Sequence, residues 1–325
     1  MNSMNSINKI SLKETAEFLR NSRDVHILIH RNPDGDCIGA GYSLQAVLKS
    51  LGIRSRVLCS DPIPERFAFL LPENPENSEN FPAESIISVD LADEKLLGDL
   101  EESYTGNIQL CIDHHISNRL YAESVLLEEH AAAACEILYK LYRFMNVPFT
   151  EQIAKCLFTG MSTDTGCFKF NNTTPETHLF VAEIMQEFPQ IRYDLINREM
   201  FDVKSPARIK AEILMLQQME YYLNGQCTMV WATLDLCREQ QVNESDLEGL
   251  TALSLQPEGV EIGITIRERE PGVYKISMRS AKDANVSVIC QGFGGGGHIK
   301  AAGCLLRGTR AEVTEKLLKA VKQAL

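Results

Sequence analysis

Histidine and aspartate residues stand where four apolar segments of this chain end. Imidazole nitrogens and carboxylate oxygens bind divalent metal ions, and two such ions held close together can activate a water molecule for hydrolysis. The candidate metal ligands are His30, Asp34, Asp36, Asp90, His114 and Asp164.

Each of these segments also has an ordinary explanation. The sequence Asn-Pro-Asp-Gly-Asp after His30 is typical of a tight turn, and an aspartate such as Asp164 often caps a helix. Of the adjacent His114 and His115, one is expected to bind metal and the other to face substrate or a supporting side chain, because side chains alternate in direction along extended chain. The occurrence of all four segments in one chain favours a metal centre, because clustered carboxylates repel one another unless cations lie between them. Mn²⁺ suits these oxygen and imidazole ligands best, with Mg²⁺ or Co²⁺ as alternatives.

Strands and helices alternate along the first half of the chain. The predicted strands cover residues 25–30, 53–59, 86–90 and 108–113, and the predicted helices cover 38–51, 130–145, 151–162 and 175–187. This alternation predicts a doubly wound, mostly parallel sheet of the α/β class. Ligands of such sheets bind at the carboxyl ends of the strands, which is where the candidate metal ligands stand.

A single long helix over residues 205–222 is predicted to connect this domain to a smaller α/β domain. Strands are predicted there near residues 226–234, 261–267, 273–279 and 303–306, with a closing helix over 310–325. We therefore predict a catalytic domain over residues 1–200, a connector helix over 201–224 and a substrate-binding domain over 225–325.

Four consecutive glycines precede His298 in the second domain. A flexible loop is the ordinary explanation, but such a run also exposes backbone N–H groups to a phosphate or carboxylate. Arg279, on a preceding predicted strand, makes anion binding the better interpretation. The predicted substrate-binding residues are Arg279, Ser280, Gly296, Gly297 and His298. Arg267, Lys282 and Lys300 are lesser candidates for this role, and each is expected to be an ordinary solvated charge.

Charge and cysteine content limit the setting and the partners. The net charge of −12 argues against binding of long duplex nucleic acid, which needs a broad basic face. Residues 223–325 hold 12 Lys and Arg against 12 Asp and Glu, so this part is better suited to an anionic ligand. The acidic stretch 61–102 is expected to form a solvated excursion. Ten cysteines without a C-x-x-C pair, and no run of about 18 apolar residues, indicate a soluble cytoplasmic protein that does not enter a membrane.

Four segments in order, HRNPDGDCIGA, SVDLAD, IDHHISN and TDTG, resemble the motifs of DHH phosphoesterases. In the second domain the pair Arg279-Ser280, followed by GGGGH and AAG, resembles a DHHA1 domain. The resemblance covers nearly the whole chain. It implies a DHH domain joined by the connector helix to a DHHA1 domain. Ala40 departs from the family pattern, in which serine is common, at a position that affects helix packing.

The resemblance also implies two overlapping sets of metal ligands that share Asp90. One set is His30, Asp34 and Asp90, and the other is Asp36, Asp90, His114 and Asp164. Asp113 would orient a histidine, and His115 would lie near the scissile phosphate. The predicted catalytic residues are therefore Asp90, Asp113 and His115. The sequence leaves open whether an aspartate or His115 transfers the proton.

The compact layout is similar to the oligoribonuclease branch of the family. It implies a metal-dependent phosphodiesterase that degrades very short single-stranded RNA to mononucleotides and removes the 3′-phosphate of 3′-phosphoadenosine 5′-phosphate. Hydrolysis of cyclic di-AMP or of the linear dinucleotide pApA is the alternative, because it needs the same ions and glycine loop. A pyrophosphatase would have a different C-terminal domain, and an inactive nucleotide-binding protein would lack a metal ligand. A homodimer stays open as the oligomeric state.

Overall fold

The computed structural model describes residues 8–72, 81–243, 247 and 250–325, and it divides the chain into two compact units, Met1–Val203 and Lys204–Leu325. The sheet of the first unit is parallel throughout, with the order β1-β6-β5-β4-β2-β3. Its strands are β1 Asn8–Lys9, β2 Val25–Leu28, β3 Ser55–Leu58, β4 Ser85–Val89, β5 Leu110–Asp113 and β6 Ser124–Leu127. The predicted α/β fold is confirmed.

Helices and 3₁₀ turns cover both faces of this sheet. The helices are α1 Leu12–Asn21, α2 Gly35–Ser50, α3 Glu101–Tyr104, α4 Ala134–Phe144, α5 Glu151–Asp164, α6 Pro175–Glu187 and α7 Tyr193–Asn197. On one face, Ile27 and Ile112 belong to a core that includes residues of α2, α4 and α5. On the other face, Leu28 and Cys111 pack with Leu97 of a 3₁₀ helix. The sheet is therefore doubly wound, as the strand–helix alternation predicts.

The acidic stretch 61–102 is not a solvated excursion in the part that the structure describes. A 3₁₀ helix covers Glu65–Leu70, and its Phe67 and Leu70 are buried in the main core. Residues 73–80, in the middle of this stretch, lie outside the described residues. The expectation is wrong for the segment 65–70, because two apolar side chains there outweigh the surrounding charge.

Close approach of α2 and α5 brings the two helices to the same edge of the sheet. A Cβ atom added to Gly39 would lie 2.5 Å from the carbonyl oxygen of Cys156, so only glycine fits there. A Cβ atom added to Gly160 would lie 2.6 Å from the Oδ1 atom of Asp36. These glycines let the end of α5 reach the beginning of α2, where several of the candidate metal ligands lie.

The second unit is built on a mixed sheet with the order β11-β12-β10-β9-β8-β7, in which β8 and β9 pair in parallel. Its strands are β7 Glu220–Tyr222, β8 Cys227–Ala232, β9 Ile262–Glu270, β10 Val273–Ser280, β11 Gly296–His298 and β12 Ala301–Arg307. Its helices are α8 Pro206–Gln217, α9 Leu234–Gln240, α10 Val286–Gln291 and α11 Arg310–Ala324. Within the described ranges, no helix combines the length and apolar character needed to cross a membrane.

The helix predicted over residues 205–222 is shorter than expected. It begins after the N-cap Ser205 and ends at Gln217, and Glu220–Tyr222 forms the edge strand β7 paired with β8. Two adjacent tyrosines favour a strand, and the pairing with β8 is a long-range contact that helical periodicity does not reveal. Helix α8 buries Ala211 and Met215 in a cluster of the second unit. The division into residues 1–200, 201–224 and 225–325 stays a prediction.

Candidate active site

The carboxyl ends of three neighbouring strands, β2, β4 and β5, supply the first part of the site. His30 lies two residues beyond β2, and its Nδ1 atom donates a hydrogen bond to the carbonyl oxygen of Arg31 at 2.8 Å. This hydrogen bond turns the Nε2 atom toward two carboxylates. It lies 3.7 Å from the Oδ1 atom of Asp34 and 3.6 Å from the Oδ2 atom of Asp90. Burial opposes protonation of His30, but these carboxylates outweigh it and raise the pKa of the ring.

Asp34 and Asp36 are fixed by helix ends. Asp34 is the N-cap of α2, and its Oδ1 atom accepts hydrogen bonds from the amides of Asp36 and Cys37. The buried carboxylate of Asp36 accepts hydrogen bonds from the amides of Ala134 and Cys135, at 2.6 and 3.0 Å, in the first turn of α4. Asp36 therefore caps a helix whose own N-cap residue, an alanine, makes no side-chain hydrogen bond. Burial, together with Asp90 and Asp164, raises the pKa of Asp36 well above its usual range.

Asp90 lies between the two halves of the cluster. It is buried, follows β4 and has a φ angle of 53°. Its Oδ2 atom faces His30, whereas its Oδ1 atom lies 3.5 Å from the Nε2 atom of His114. Burial would raise the pKa of Asp90, but His114 and His30 lower it. One carboxylate thus faces two histidines that stand at the ends of different strands.

His114 and Asp164 complete the second half of the cluster. The Nδ1 atom of His114 donates to the carbonyl oxygen of Ala131 at 3.1 Å, and its Nε2 atom lies 3.4 Å from the Oδ2 atom of Asp164 and 3.9 Å from the Oδ2 atom of Asp36. Although burial opposes protonation, the carboxylates around His114 raise its pKa to about 10. Burial raises the pKa of Asp164 to about 7, and Asp90 adds to the effect. Such shifts are typical of a cluster with more carboxylates than protein cations.

Asp113 orients His115 rather than His114. Its Oδ1 atom accepts hydrogen bonds from the backbone amides of both histidines and, at 2.8 Å, from the Nδ1 atom of His115. Its Oδ2 atom accepts a hydrogen bond from the side-chain amide of Asn118. This bond to Asp113, more than any other contact, raises the pKa of His115. The side chain of His115 is 42% exposed, so its Nε2 atom is the ring nitrogen left for a ligand.

Two buried atoms of the cluster test whether cations fit. Among the described residues, neither the Oδ1 atom of Asp90 nor the Nε2 atom of His114 has a hydrogen-bond partner. Buried polar atoms without a hydrogen-bond partner cost free energy unless a cation or water satisfies them. The structure brings together all six predicted metal ligands, and the donor set suits divalent metal ions. Assignment of each residue to an ion stays a prediction.

Cys37 lies in this cluster, although it was not among the predicted metal ligands. Its Sγ atom belongs to a group with ligand atoms of His30, Asp34 and Asp90 that all lie within 4.8 Å of one another. The signal was present in the sequence, because Cys37 lies three residues after Asp34 and therefore on the same side of the first turn of α2. Burial raises the pKa of its thiol, which disfavours the thiolate.

The predicted substrate-binding residues of the second unit lie on three paired strands. In the sheet register, Arg279 of β10 and His298 of β11 are both opposite Ala301 of β12. A small residue thus separates the two side chains. Gly297 has a φ angle of 142°, and an added Cβ atom would lie 2.5 Å from the carbonyl oxygen of Ala301. Glycine is required here, because a side chain would force the two strands apart.

Ser280 and Gly296 differ in what they offer a ligand. An added Cβ atom at Gly296 would meet nothing within 4 Å, so its backbone is approachable. Ser280 is buried, and its Oγ atom donates to the Oε1 atom of Glu261 at 3.3 Å. Direct contact of Ser280 with substrate stays a prediction.

Arg267 is not the solvated charge that the sequence analysis expects. It is only 9% exposed, and its Nε and Nη1 atoms have no hydrogen-bond partner within the described part of the chain. Residues of β9 alternate between two covered faces, since Ile266 lies in the main core of the second unit and the 3₁₀ helix Leu250–Leu255 packs on this strand. The expectation is wrong because both faces of β9 are covered.

Comparison with known proteins agrees with the fold. Two family models match, "DHH family, N-terminal domain" over residues 24–161 and "DHHA1 domain" over residues 228–325. The chain is 31% identical over 307 residues to the bifunctional oligoribonuclease and PAP phosphatase NrnA of Thermus thermophilus, covering 93% of this chain and 90% of that protein. This protein belongs to the DHH family.

Two other similarities extend over most of the chain. The cyclic-di-AMP phosphodiesterase PdeA of Listeria monocytogenes is 24% identical, covering 94% of this chain but 48% of its own length. A crystal structure of an exopolyphosphatase-related protein from Bacteroides fragilis superposes with a TM-score of 0.84 at 21% identity, covering 96% of this chain and 95% of its own. The latter similarity shows a shared fold.

Proposed function

We propose that this protein is a two-metal phosphoesterase that releases mononucleotides from very short RNA and removes the 3′-phosphate of 3′-phosphoadenosine 5′-phosphate. The carboxylate of Asp90, with one oxygen facing His30 and the other facing His114, carries the proposal. A carboxylate in this position can bridge two cations. The choice of substrate is supported by the similarity to the Thermus thermophilus enzyme over nearly its whole length.

The proposed ligand sets follow the two halves of the cluster. His30, Asp34 and Asp90 would hold one ion, with Cys37 beside it, and Asp36, Asp90, His114 and Asp164 would hold the other. Mn²⁺ is the proposed metal because it accepts both carboxylate and imidazole ligands, and Mg²⁺ or Co²⁺ could replace it. Bound in this way, the two ions would supply Lewis acidity and lower the pKa of the attacking water.

His115 is the proposed substrate-side group of the catalytic centre. Asp113 fixes its Nδ1 atom, so the exposed ring presents Nε2 to a phosphoryl oxygen or to a leaving group. Within hydrogen-bond reach of substrate, this nitrogen can donate a hydrogen bond or transfer a proton. Asp113 acts on the reaction through the orientation of His115.

In the second unit, Arg279, His298 and the backbone of Gly296 and Gly297 are proposed to bind a phosphate of the substrate, with Ser280 beside them. The guanidinium matches a phosphate bidentately, and glycine backbone allows close approach. Short single-stranded substrates fit a chain with a net charge of −12, whereas long duplexes do not. We place the enzyme in the cytoplasm, where its ten free cysteines stay reduced.

Turnover of defined substrates tests the proposal. The purified protein is incubated with RNA dimers to pentamers and with 3′-phosphoadenosine 5′-phosphate, in Mn²⁺ and in excess chelator. We expect mononucleotides and inorganic phosphate, respectively, in Mn²⁺ and neither product in chelator. If no divalent ion supports either reaction, the proposal is wrong.

Hydrolysis of cyclic di-AMP is the second candidate, and the similarity to the Listeria monocytogenes enzyme over most of this chain favours it. The same metal centre and phosphate-binding residues would serve both reactions. Relative kcat/KM values for cyclic di-AMP, pApA, short RNA and 3′-phosphoadenosine 5′-phosphate decide between them. We expect the linear substrates to be preferred, and a higher kcat/KM for cyclic di-AMP would reverse the assignment.

A further inference from the structure

The side chain of Glu261 makes an unusual set of hydrogen bonds next to the predicted phosphate-binding residues. Its Oε1 atom accepts from three consecutive backbone amides, those of residues 282–284, at 3.2, 2.8 and 3.0 Å. The Oγ atom of Ser280 donates to the same oxygen at 3.3 Å. The backbone of Glu261 contributes as well, because its carbonyl oxygen accepts from the amide of Ala281 at 2.9 Å. One residue therefore holds the whole loop that follows Arg279.

These contacts are those of an ionised carboxylate in a nest of amides. Consecutive N–H groups that converge on one point form a concavity that favours an anion. Burial would raise the pKa of Glu261, but the three amides and Ser280 together lower it. Hydrogen bonds to an ionised acceptor are stronger than neutral ones, so the carboxylate holds the loop more firmly than an amide side chain would.

The loop held by Glu261 is bonded in turn to the segment that follows the four glycines. The amide of Ser280 donates a hydrogen bond to the carbonyl oxygen of Lys300 at 3.1 Å, and the amide of Val286 donates one to the carbonyl oxygen of Ile299 at 2.9 Å. The Oγ atom of Ser287 donates to the carbonyl oxygen of Gly297 at 2.7 Å. Residues 280–287 thus connect the end of β10, which carries Arg279, to β11 and the turn after it.

We propose that Glu261 is a positioning residue for substrate binding, which sets the spacing between Arg279 and the backbone of Gly296 and Gly297. It contacts no substrate itself. Loss of its charge would loosen the loop. The guanidinium of Arg279 and the N–H groups of the glycines could then no longer bind the same phosphate at once. Binding of the substrate would weaken, whereas the reaction at the metal centre would keep its rate. The inference rests on the proposed function.

Two variants and a matched control test the proposal. Glu261→Gln keeps the size and one acceptor oxygen, Glu261→Ala removes both, and Glu270→Gln makes the same charge change at an exposed position in β9. We expect KM for 3′-phosphoadenosine 5′-phosphate to rise about tenfold in Glu261→Gln, as loss of a charge-assisted hydrogen bond predicts, and further in Glu261→Ala. The kcat should stay within about twofold, and Glu270→Gln should match the wild type.

Two measurements separate this inference from the proposed function, because neither needs turnover. They are hydrogen exchange of the backbone amides and binding of 3′-phosphoadenosine 5′-phosphate in chelator. In Glu261→Gln, faster exchange is expected at the amides of residues 282–284 and at those of Ser280 and Val286, together with weaker binding of 3′-phosphoadenosine 5′-phosphate. Unchanged exchange, or faster exchange without any loss of affinity, would overturn the positioning role. A fall in kcat at constant KM would also contradict it. Wild-type protein that binds this nucleotide but cleaves no substrate would reject the proposed function, and the role of Glu261 in binding would then be decided by the exchange and affinity of its variants.

Discussion

His114 and His115 are neighbours in the sequence, but their rings meet different partners. The Nε2 atom of His114 faces Asp164, Asp90 and Asp36, whereas the Nδ1 atom of His115 is bonded to Asp113. The hydrogen bond from His114 to the carbonyl oxygen of Ala131 keeps its ring turned inward. Replacement of His114 should therefore affect metal binding, whereas replacement of His115 should affect the reaction.

Replacement of each histidine by alanine should separate metal binding from the reaction. His115→Ala should bind Mn²⁺ as the wild type does, but its kcat should fall by about a hundredfold or more, since a positioned proton donor is lost. His114→Ala should lose affinity for one of two Mn²⁺ ions. Titration calorimetry with Mn²⁺, combined with steady-state kinetics, measures both effects. Normal Mn²⁺ stoichiometry and affinity in His114→Ala would contradict the assignment.

At this scale the apolar runs correctly predict where His30 and Asp90 lie, just beyond the ends of β2 and β4. Sequence reasoning failed where burial depends on distant parts of the chain. Arg267 follows the alternation of β9, but this strand is covered by elements outside the local pattern, among them the 3₁₀ helix Leu250–Leu255. Glu261 gave no signal, because its partners are backbone amides, which the sequence does not distinguish from any others.

At the scale of elements, the contact between α2 and α5 determines whether the ligands from these helices can meet. Asp36 lies in the first turn of α2, and Asp164 is the last residue of α5. Gly160 lies where the two helices and α4 come together, and an added Cβ atom would collide with both Asp36 and the Sγ atom of Cys135. Glycine is therefore required at position 160, because no side chain fits between these helices.

Gly160→Ala should therefore damage both stability and metal binding. Overpacking of a filled core costs about 1–3 kcal/mol of unfolding free energy. The displaced carboxylate of Asp36 should also weaken Mn²⁺ binding, although no metal ligand has been removed. Lys155→Ala removes a half-buried side chain of α5 that is ion-paired with Glu151. It is the control and should change stability by about 0.5 kcal/mol or less. Denaturant unfolding and Mn²⁺ titration measure the two effects; a Gly160→Ala protein as stable as the control would show that the helices can move apart.

Element types were predicted better than element ends. Four strands of the first sheet, β2 to β5, follow from their apolar runs, whereas β1 and β6 were not predicted. Helix α2 begins at Gly35, three residues earlier than expected, because Asp34 caps it inside the turn. The end of α8 and the strand β7 were missed for a different reason. Only pairing with β8 makes Glu220–Tyr222 extended, and pairing partners cannot be read from local periodicity.

At the scale of the whole molecule, the chain combines a net charge of −12 with a buried group of carboxylates in one of its two units. Repulsion among Asp36, Asp90 and Asp164 opposes folding of the first unit, as the raised pKa values of Asp36 and Asp164 indicate. The second unit has no comparable cluster among its described residues. Cations should thus stabilise the two units unequally.

Removal of metal should lower the melting temperature of the first unit and leave that of the second unchanged. A ligand at a hundred times its Kd stabilises a fold by about 2.7 kcal/mol, which corresponds to a shift of about 5–10 °C for a unit of this size. Differential scanning calorimetry in Mn²⁺ and in chelator measures the shift.

In Asp90→Asn, which loses the shared ligand, the Mn²⁺-dependent shift in melting temperature should shrink to a small fraction, and kcat should fall by about a thousandfold or more. Asp99→Asn makes the same change at an exposed position and should keep both the shift and the activity. A full Mn²⁺ shift in Asp90→Asn would mean that Asp90 does not bridge the two ions.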